Sequence, residues 1–126
     1  MIDALFNQTN YVAAKSMLDI TELRQQAIAA NIANVETPGY KRLEIAESFE
    51  AEFERAVATG NPDSIRGLRP SLEVDRTAMP SKPDGNTVRI EDELLDMNQN
   101  QLEHALETRL VTGTLLKIRM AITGKS

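Results

Sequence analysis

The side chains in this chain that could do chemistry are few, and nearly all of them are carboxylates. His104 is the single histidine, and it lies in NQNQLEHALE beside Glu103 and one turn before Glu107. Imidazole and carboxylate are ordinary zinc ligands, so these three could begin a metal corner. One His and two Glu on a solvated helix face read more simply as surface or seam chemistry. Glu91-Asp92-Glu93 could be drawn as a general acid/base pair, but acids at a helix start are explained by the positive end of the helix dipole. Glu44, Glu47, Glu50, Glu52 and Glu54 could gather a cation, yet glutamates without the Asp, Asn and Gly of a calcium loop make a poor site and read as a solvated face. There is no Cys, which excludes disulfides and thiolate metal centres, and there is no Gly-rich phosphate loop or nucleophile elbow. No catalytic, cofactor-binding or metal residue is assigned, and the sequence predicts no enzyme.

Composition narrows the classes further. The net charge of −5 and pI near 4.9 argue against a nucleic-acid surface, which needs clustered Lys and Arg. No apolar run is long enough to span a bilayer, and MIDALFNQTNYVAAK lacks the basic start and apolar core of a classical secretory signal. With 126 residues there is room for one domain, but only 4% are aromatic and none is Trp. A thick globular core is therefore not expected, and long helices that pack on neighbours fit better.

The elements that must position these side chains turn on one corner, AIAANIANVETPGYKR, from Ala27 to Arg42. Ala27, Ala29, Ala30 and Ala33 favour helix and allow another backbone to come close. Asn31 and Asn34 are amides in that small-residue seam, where a polar group fixes register if it is buried. Pro38 disfavours helix at Thr37, and Pro38-Gly39 suits the centre of a type II turn, so the helix should end near Val35. Tyr40 leaves the turn as an amphipathic anchor suited to a wet protein contact.

Along the rest of the chain, Met1 to Asn10 reads as a short amphipathic piece. Tyr11 to Val35 carries a heptad-like pattern through Ala13, Ser16, Ile20, Leu23, Ala27 and Ala30 that predicts a first long helix of roughly 36 Å. Leu43 to Ala58 predicts a shorter amphipathic helix with Ile45, Phe49, Phe53 and Ala56 on one face. Thr59 to Thr87, rich in Pro, Gly, Asn and Ser, is expected to be irregular, with Leu72-Glu73-Val74 and Val88-Arg89-Ile90 as a candidate small hairpin. From Glu91 to Ile122 the helical pattern returns, with Leu95, Leu102, Leu106, Leu110, Gly113, Leu116 and Met120 as a seam and Gly113 as a point of close approach. The prediction is an all-α fold. Its two long terminal helices pack as an antiparallel, coiled-coil-like pair, with a shorter third helix and an irregular middle, in three regions: 1–58, 59–90 and 91–126. Leu94, Met97, Leu115, Ile118, Ala121 and Ile122 remain apolar outside the seam and predict packing on other subunits.

The string from Ala30 to Lys41 resembles the N-terminal signature of the bacterial flagellar rod and hook family, in which an Ala/Asn-rich helix end meets a Thr-Pro-Gly-Tyr turn. GNTVRIEDELLDMNQNQLEH is similar to the segment of the same family that leads into its C-terminal helix, carried here by Gly85, Asn86, Val88, Glu91 and Glu93. It departs from the family at Leu94, usually Met, and at His104, where an aromatic residue is common. The short middle, LEIAESFEAEFERAV and LLKIRMAITGKS resemble the small proximal-rod members rather than the hook proteins, which insert β-rich domains. The resemblance implies a non-catalytic structural subunit of the basal-body rod, exported through the flagellar type III apparatus without a cleaved signal. It implies polymerisation through terminal helices that become stable on assembly. The implied partners are other copies, rod protein C and further rod subunits, the rod-to-ring adaptor and the export gate. The implied assembly residues are Ala27, Ala30, Asn31, Asn34, Thr37, Pro38, Gly39 and Tyr40 at the corner, with Leu95, Leu102, Leu106, Gly113, Leu116 and Met120 on the last helix. A soluble helical export chaperone or adaptor, or rod protein C itself, is the alternative; a peptidoglycan hydrolase would need an acid/base pair in a pocket.

Overall fold

A computed structural model describes residues 9–124. The expected amphipathic piece at the N-terminus falls almost wholly outside that range. Helix α1 runs Thr9–Ala33, strand β1 Leu43–Ile45, helix α2 Glu47–Thr59, helix α3 Pro62–Arg66, strand β2 Leu72–Val74 and helix α4 Ile90–Thr123. The long terminal helices are in contact. They run antiparallel: Thr21 meets Glu107, Arg24 meets Glu103 and Asn100, and Asn31 meets Glu93.

The apolar core is not between those two helices. It lies on a neighbouring flank of α1, where Ile20 joins Ile45, Ala46 and Phe49, and Val12 joins Ala56 and Ile65, with Phe53 and Leu68 bridging both groups. Phe49 and Phe53, one turn apart on α2, stack with ring centroids 6.0 Å apart. Ala14 and Ala27 of α1 are buried, and their small side chains let neighbouring elements sit close.

The middle of the chain corrects the sequence reading in three places. Leu43 to Ile45 is a strand, not the first turn of a helix; its apolar-Glu-apolar alternation has the period of a strand. It pairs antiparallel with Leu72–Val74, Leu43 opposite Val74 and Ile45 opposite Leu72, so β2 finds β1 and not Val88–Ile90. Helix α2 then begins at Glu47, where the Glu73 carboxylate accepts from the Glu47 backbone N–H at 3.0 Å and stands in for a side-chain cap that Ala46 cannot supply. Pro62–Arg66 is a short helix with a conventional start: Asn61 accepts from the Asp63 N–H at 3.0 Å and Pro62 occupies the first turn. Residues 75–89 have no regular structure but are tied down by hydrogen bonds, several of them to the corner.

Candidate functional site

The corner forms as its residues dictate. Helix α1 ends at Ala33, two residues before the expected Val35. The Tyr40 N–H reaches the Thr37 carbonyl at 3.2 Å and Gly39 takes φ +73, which is the type II turn that Pro-Gly prefers. Thr37, Pro38 and Gly39 stay exposed. Asn34 works locally: its amide donates to the Ala30 carbonyl at 2.8 Å and its oxygen accepts from the Thr37 hydroxyl at 3.0 Å.

Asn31 has the opposite fate. Its side chain is fully buried, and it clasps the backbone of Leu43 like a neighbouring strand, donating to the Leu43 carbonyl at 2.9 Å and accepting from the Leu43 N–H at 2.8 Å. The same amide donates to Glu93 of α4 at 3.1 Å, and the Tyr40 hydroxyl points at its oxygen from 3.4 Å. One asparagine therefore sets β1 and the start of α4 against the end of α1. Tyr40 is half-buried and turned inward, so the expected outward anchor serves the chain itself; burial and then the Glu93 charge push its hydroxyl pKa up.

Arg42 is the hub beside it. Its guanidinium donates to Glu93 at 2.7 Å, to Asp75 at 2.7 Å and to Asp96 at 3.1 Å. Glu93, which the sequence offered as dipole chemistry, is wholly buried and holds Arg42 with one oxygen and Asn31 with the other. Burial works against the Arg42 charge, but Glu93 and Asp75 outweigh it and raise its pKa. Burial likewise would raise Asp75, while hydrogen bonds from Thr77 and Arg42 win and hold it below the usual carboxylate range. Such a network suits rigid placement, because each buried charge is paired and hydrogen-bonded. It offers no open coordination or reacting position, and among the described residues no cluster of His, Asp and Glu has metal-site geometry.

Asn86 closes the corner from the far side. Fully buried, its amide nitrogen shares two hydrogens among three carbonyls of the turn just past α1, those of Asn34 at 2.9 Å, Val35 at 3.1 Å and Thr37 at 2.9 Å. Its oxygen accepts from the Val88 N–H at 2.8 Å. Lys82 adds a bond to the Val35 carbonyl and an ion pair to Glu36. The Gly-Asn-x-Val string thus pins the turn that follows the first long helix just before the second begins.

Further down, the α1–α4 seam is polar. Asn100 donates to the Thr21 carbonyl at 2.8 Å, Arg24 pairs with Glu103 at 2.9 Å, and buried Glu107 faces Thr21 at 3.2 Å. The single hydroxyl hydrogen of Thr21 is shared between Glu107 and the Leu18 carbonyl at 2.9 Å, which leaves the carboxylate thinly supported. Burial, then the neighbouring Glu103 charge, raises the Glu107 pKa against the pull of Thr21, Arg24 and His104.

The leucine seam expected on the last helix is consequently not the seam within the chain. Leu95, Leu102, Leu106, Leu116 and Met120 are exposed, Leu102 by 73%, and the positions that face α1 are Glu93, Asn100 and Glu107, seven residues apart; Ile118 is also buried. Gly113 makes no close approach either: a Cβ there would meet nothing within 4 Å. Ala27 is buried in the fold and Ala30 half-buried. His104 is exposed. The functional residues that sequence reading missed are Arg42, Asp75 and Glu107. Arg42 stood in the quoted corner string, and the only hint of its role was a cation next to a turn facing an acid-rich helix start.

Comparisons with known proteins point to one family. A family model described as flagella basal body rod protein matches residues 18–41, the half of α1 that carries Asn31 together with the whole turn. The flagellar basal body rod protein FlgB of Borrelia hermsii is 36% identical over 86% of this chain and 92% of its own length. FlgB of Borreliella burgdorferi is 30% identical over 74% of this chain and 80% of its own, and FlgB of Proteus mirabilis is 27% identical over 97% of both. The chain belongs to the FlgB family of flagellar basal-body rod proteins, structural subunits rather than enzymes.

Proposed function

We propose that the chain is a proximal-rod subunit that polymerises through the outer face of α4, packing with its own copies and with further rod proteins such as rod protein C. In this reading it joins the export gate and rod-to-ring adaptor to the rest of the drive shaft. It is exported through the flagellar type III apparatus.

One observation carries the reading: α4 spends polar residues on α1 and keeps its leucines outside. An isolated folded chain gains from burying Leu and Met and tolerates polar groups at the surface, which is the reverse of this arrangement. Each exposed Leu that a neighbour covers adds about 1.5–3 kcal/mol, so a stripe of them can drive assembly while the monomer stays marginal. The corner node then fixes the angle from which the stripe is presented.

The test is Leu102→Glu with Leu106→Glu, expressed in cells that lack the native gene. Both positions are solvent-facing, so the purified variant should keep the helicity and melting curve of the parent by circular dichroism. Motility and recovery of the chain in isolated basal bodies should be lost. Full swarming by the double variant would remove the support this face gives to the proposal.

A further inference from the structure

Helix α4 is divided by charge at its midpoint. Between Ile90 and Thr108 it carries six Asp or Glu residues and no Lys or Arg; from Arg109 to Thr123 it carries Arg109, Lys117 and Arg119 and no acid. Those three cations are exposed and make no ion pair among the described residues. Leu116, Met120 and Ile122 stand exposed among them, so this half presents an apolar face with a basic rim.

A surface of opposite character lies elsewhere on the molecule. A cleft of about 420 Å³ opens between α1, β1, the first turn of α2 and the acidic half of α4. Ile28, Leu43 and Ile45 line it, and Glu44, Glu47, Glu50, Asp96 and Glu103 share its walls. Two cations of the chain are there too, but both are committed: Arg42 to Glu93, Asp75 and Asp96, and Arg24 to Glu103 at 2.9 Å and Glu50 at 3.6 Å. Glu44 has Arg42 only at 3.7 Å and stands opposite Glu73 in the strand pair, and Glu47 has no cationic partner among the described residues. The cleft is left with net negative charge above a floor where Ile28 and Ile45 are almost wholly buried and Leu43 half-buried, so its charge is what complements the basic rim of the distal half of α4.

We propose that this acidic cleft receives the basic, leucine-bearing C-terminal half of α4 from a second copy of the chain. The two surfaces of one chain cannot meet. Glu103 borders the cleft and Lys117 lies fourteen residues further along a continuous helix, roughly 21 Å away at 1.5 Å per residue. The contact is therefore between copies and directional, acidic shoulder to basic tail. Opposite charges set the register and the leucines supply the buried area, a division of labour seen where charge steers and apolar groups hold. This inference rests on the rod reading and adds which surface meets which.

The absence of cysteine from the sequence makes the test clean. Glu47→Cys and Lys117→Cys are placed together in one chain, expressed in cells lacking the native gene, and oxidised in assembled basal bodies. Disulfide-linked dimers and longer ladders of this chain should form with the pair and be absent with either cysteine alone. In parallel, Glu47→Lys with Glu50→Lys should cut motility severalfold, and adding Lys117→Glu with Arg119→Glu should restore it. Basal bodies that contain the chain but yield no self-crosslink, a crosslink to a different rod protein, or charge reversals without mutual rescue would each overturn the proposal. All three leave the rod reading standing, since the chain is still in the basal body; its absence from basal bodies would overturn both.

Discussion

From Ile90 to Glu107, helix α4 meets α1 through Glu93, Asn100 and Glu107; beyond Glu107 it offers Leu110, Leu115, Leu116, Met120 and Ile122 to solvent. The two halves of one helix obey opposite rules. In the first, buried polar groups have partners, and no buried side-chain nitrogen or oxygen among the described residues lacks one. In the second, Ile118 is buried while the leucines, Met120 and Ile122 are exposed, continuing the outer stripe of Leu95, Leu102 and Leu106 from the first. Polar pairing is directional and fixes geometry, whereas apolar burial adds stability wherever a matching surface appears. The proximal half is thus built to place α4 within the chain, and the distal half to gain from what lies outside it.

The comparison breaks most visibly at Arg42. Arg42→Ala strands buried Glu93 and Asp75 without their cation, and removing one partner of a buried pair costs about 3–5 kcal/mol. A loss of about 3 kcal/mol in urea unfolding is expected, at the low end because Arg42 keeps some contact with water. A loss below about 1 kcal/mol would show that the node is decorative. Asn86→Ala comes next. It removes the bonds to three turn carbonyls, which keep the Thr37 N–H, Lys82 and Tyr40 N–H as donors, and it strands the buried Val88 N–H; a buried polar group left unsatisfied costs about 1–3 kcal/mol. The expected loss is about 2 kcal/mol, with faster amide exchange at Val88 and in the Thr37–Tyr40 turn; exchange unchanged there would show that Asn86 does not hold the corner.

The polar half also makes stability depend on pH in two opposed ways. Asp75 has a folded pKa below its unfolded one, so its contribution is full above the unfolded value and is lost as pH falls through the folded value. Glu107 is the reverse. Its folded pKa is raised, so its contribution is full below the unfolded value and is lost as pH rises through the folded one. Glu107→Gln keeps the shape of the neutral acid and cannot ionise. Its urea midpoint should exceed the parent's at pH 7 and approach it at pH 4. Parallel pH profiles for the two proteins would refute a raised Glu107.

Legibility from sequence followed the same division. The long helices and the turn were readable because helix period and Pro-Gly chemistry are local signals, whereas Asn31 and Asn34 look alike in sequence and only the packing of Leu43 and Glu93 against Asn31 decides which is buried. The Leu43–Ile45 strand was misread because three alternating residues can also begin an amphipathic helix, and only the distant Leu72–Val74 decides between them. The seam of α4 was misread for a deeper reason. Periodicity identifies an apolar face but not what it faces, and the usual assumption sends leucines to the nearest helix. Here Glu93, Asn100 and Glu107 repeat with the same spacing of seven and hold the inner face, because Arg42, Asn31 and Thr21 across the gap can satisfy them.

Gly113 gives the smallest effect and the sharpest separation of the two halves. A glycine inside a helix costs about 1 kcal/mol relative to alanine, and a Cβ at this position meets nothing within 4 Å. Gly113→Ala should therefore stabilise the isolated chain by about 0.5–1 kcal/mol, read as a higher urea midpoint. If the distal half of α4 is a contact between copies, the added methyl intrudes only there. Gly113→Leu should then lower motility while leaving the monomer as stable as Gly113→Ala leaves it. A chain weakened by Gly113→Ala would mean that this stretch packs within the chain after all, and that its exposed leucines are not reserved for a neighbour.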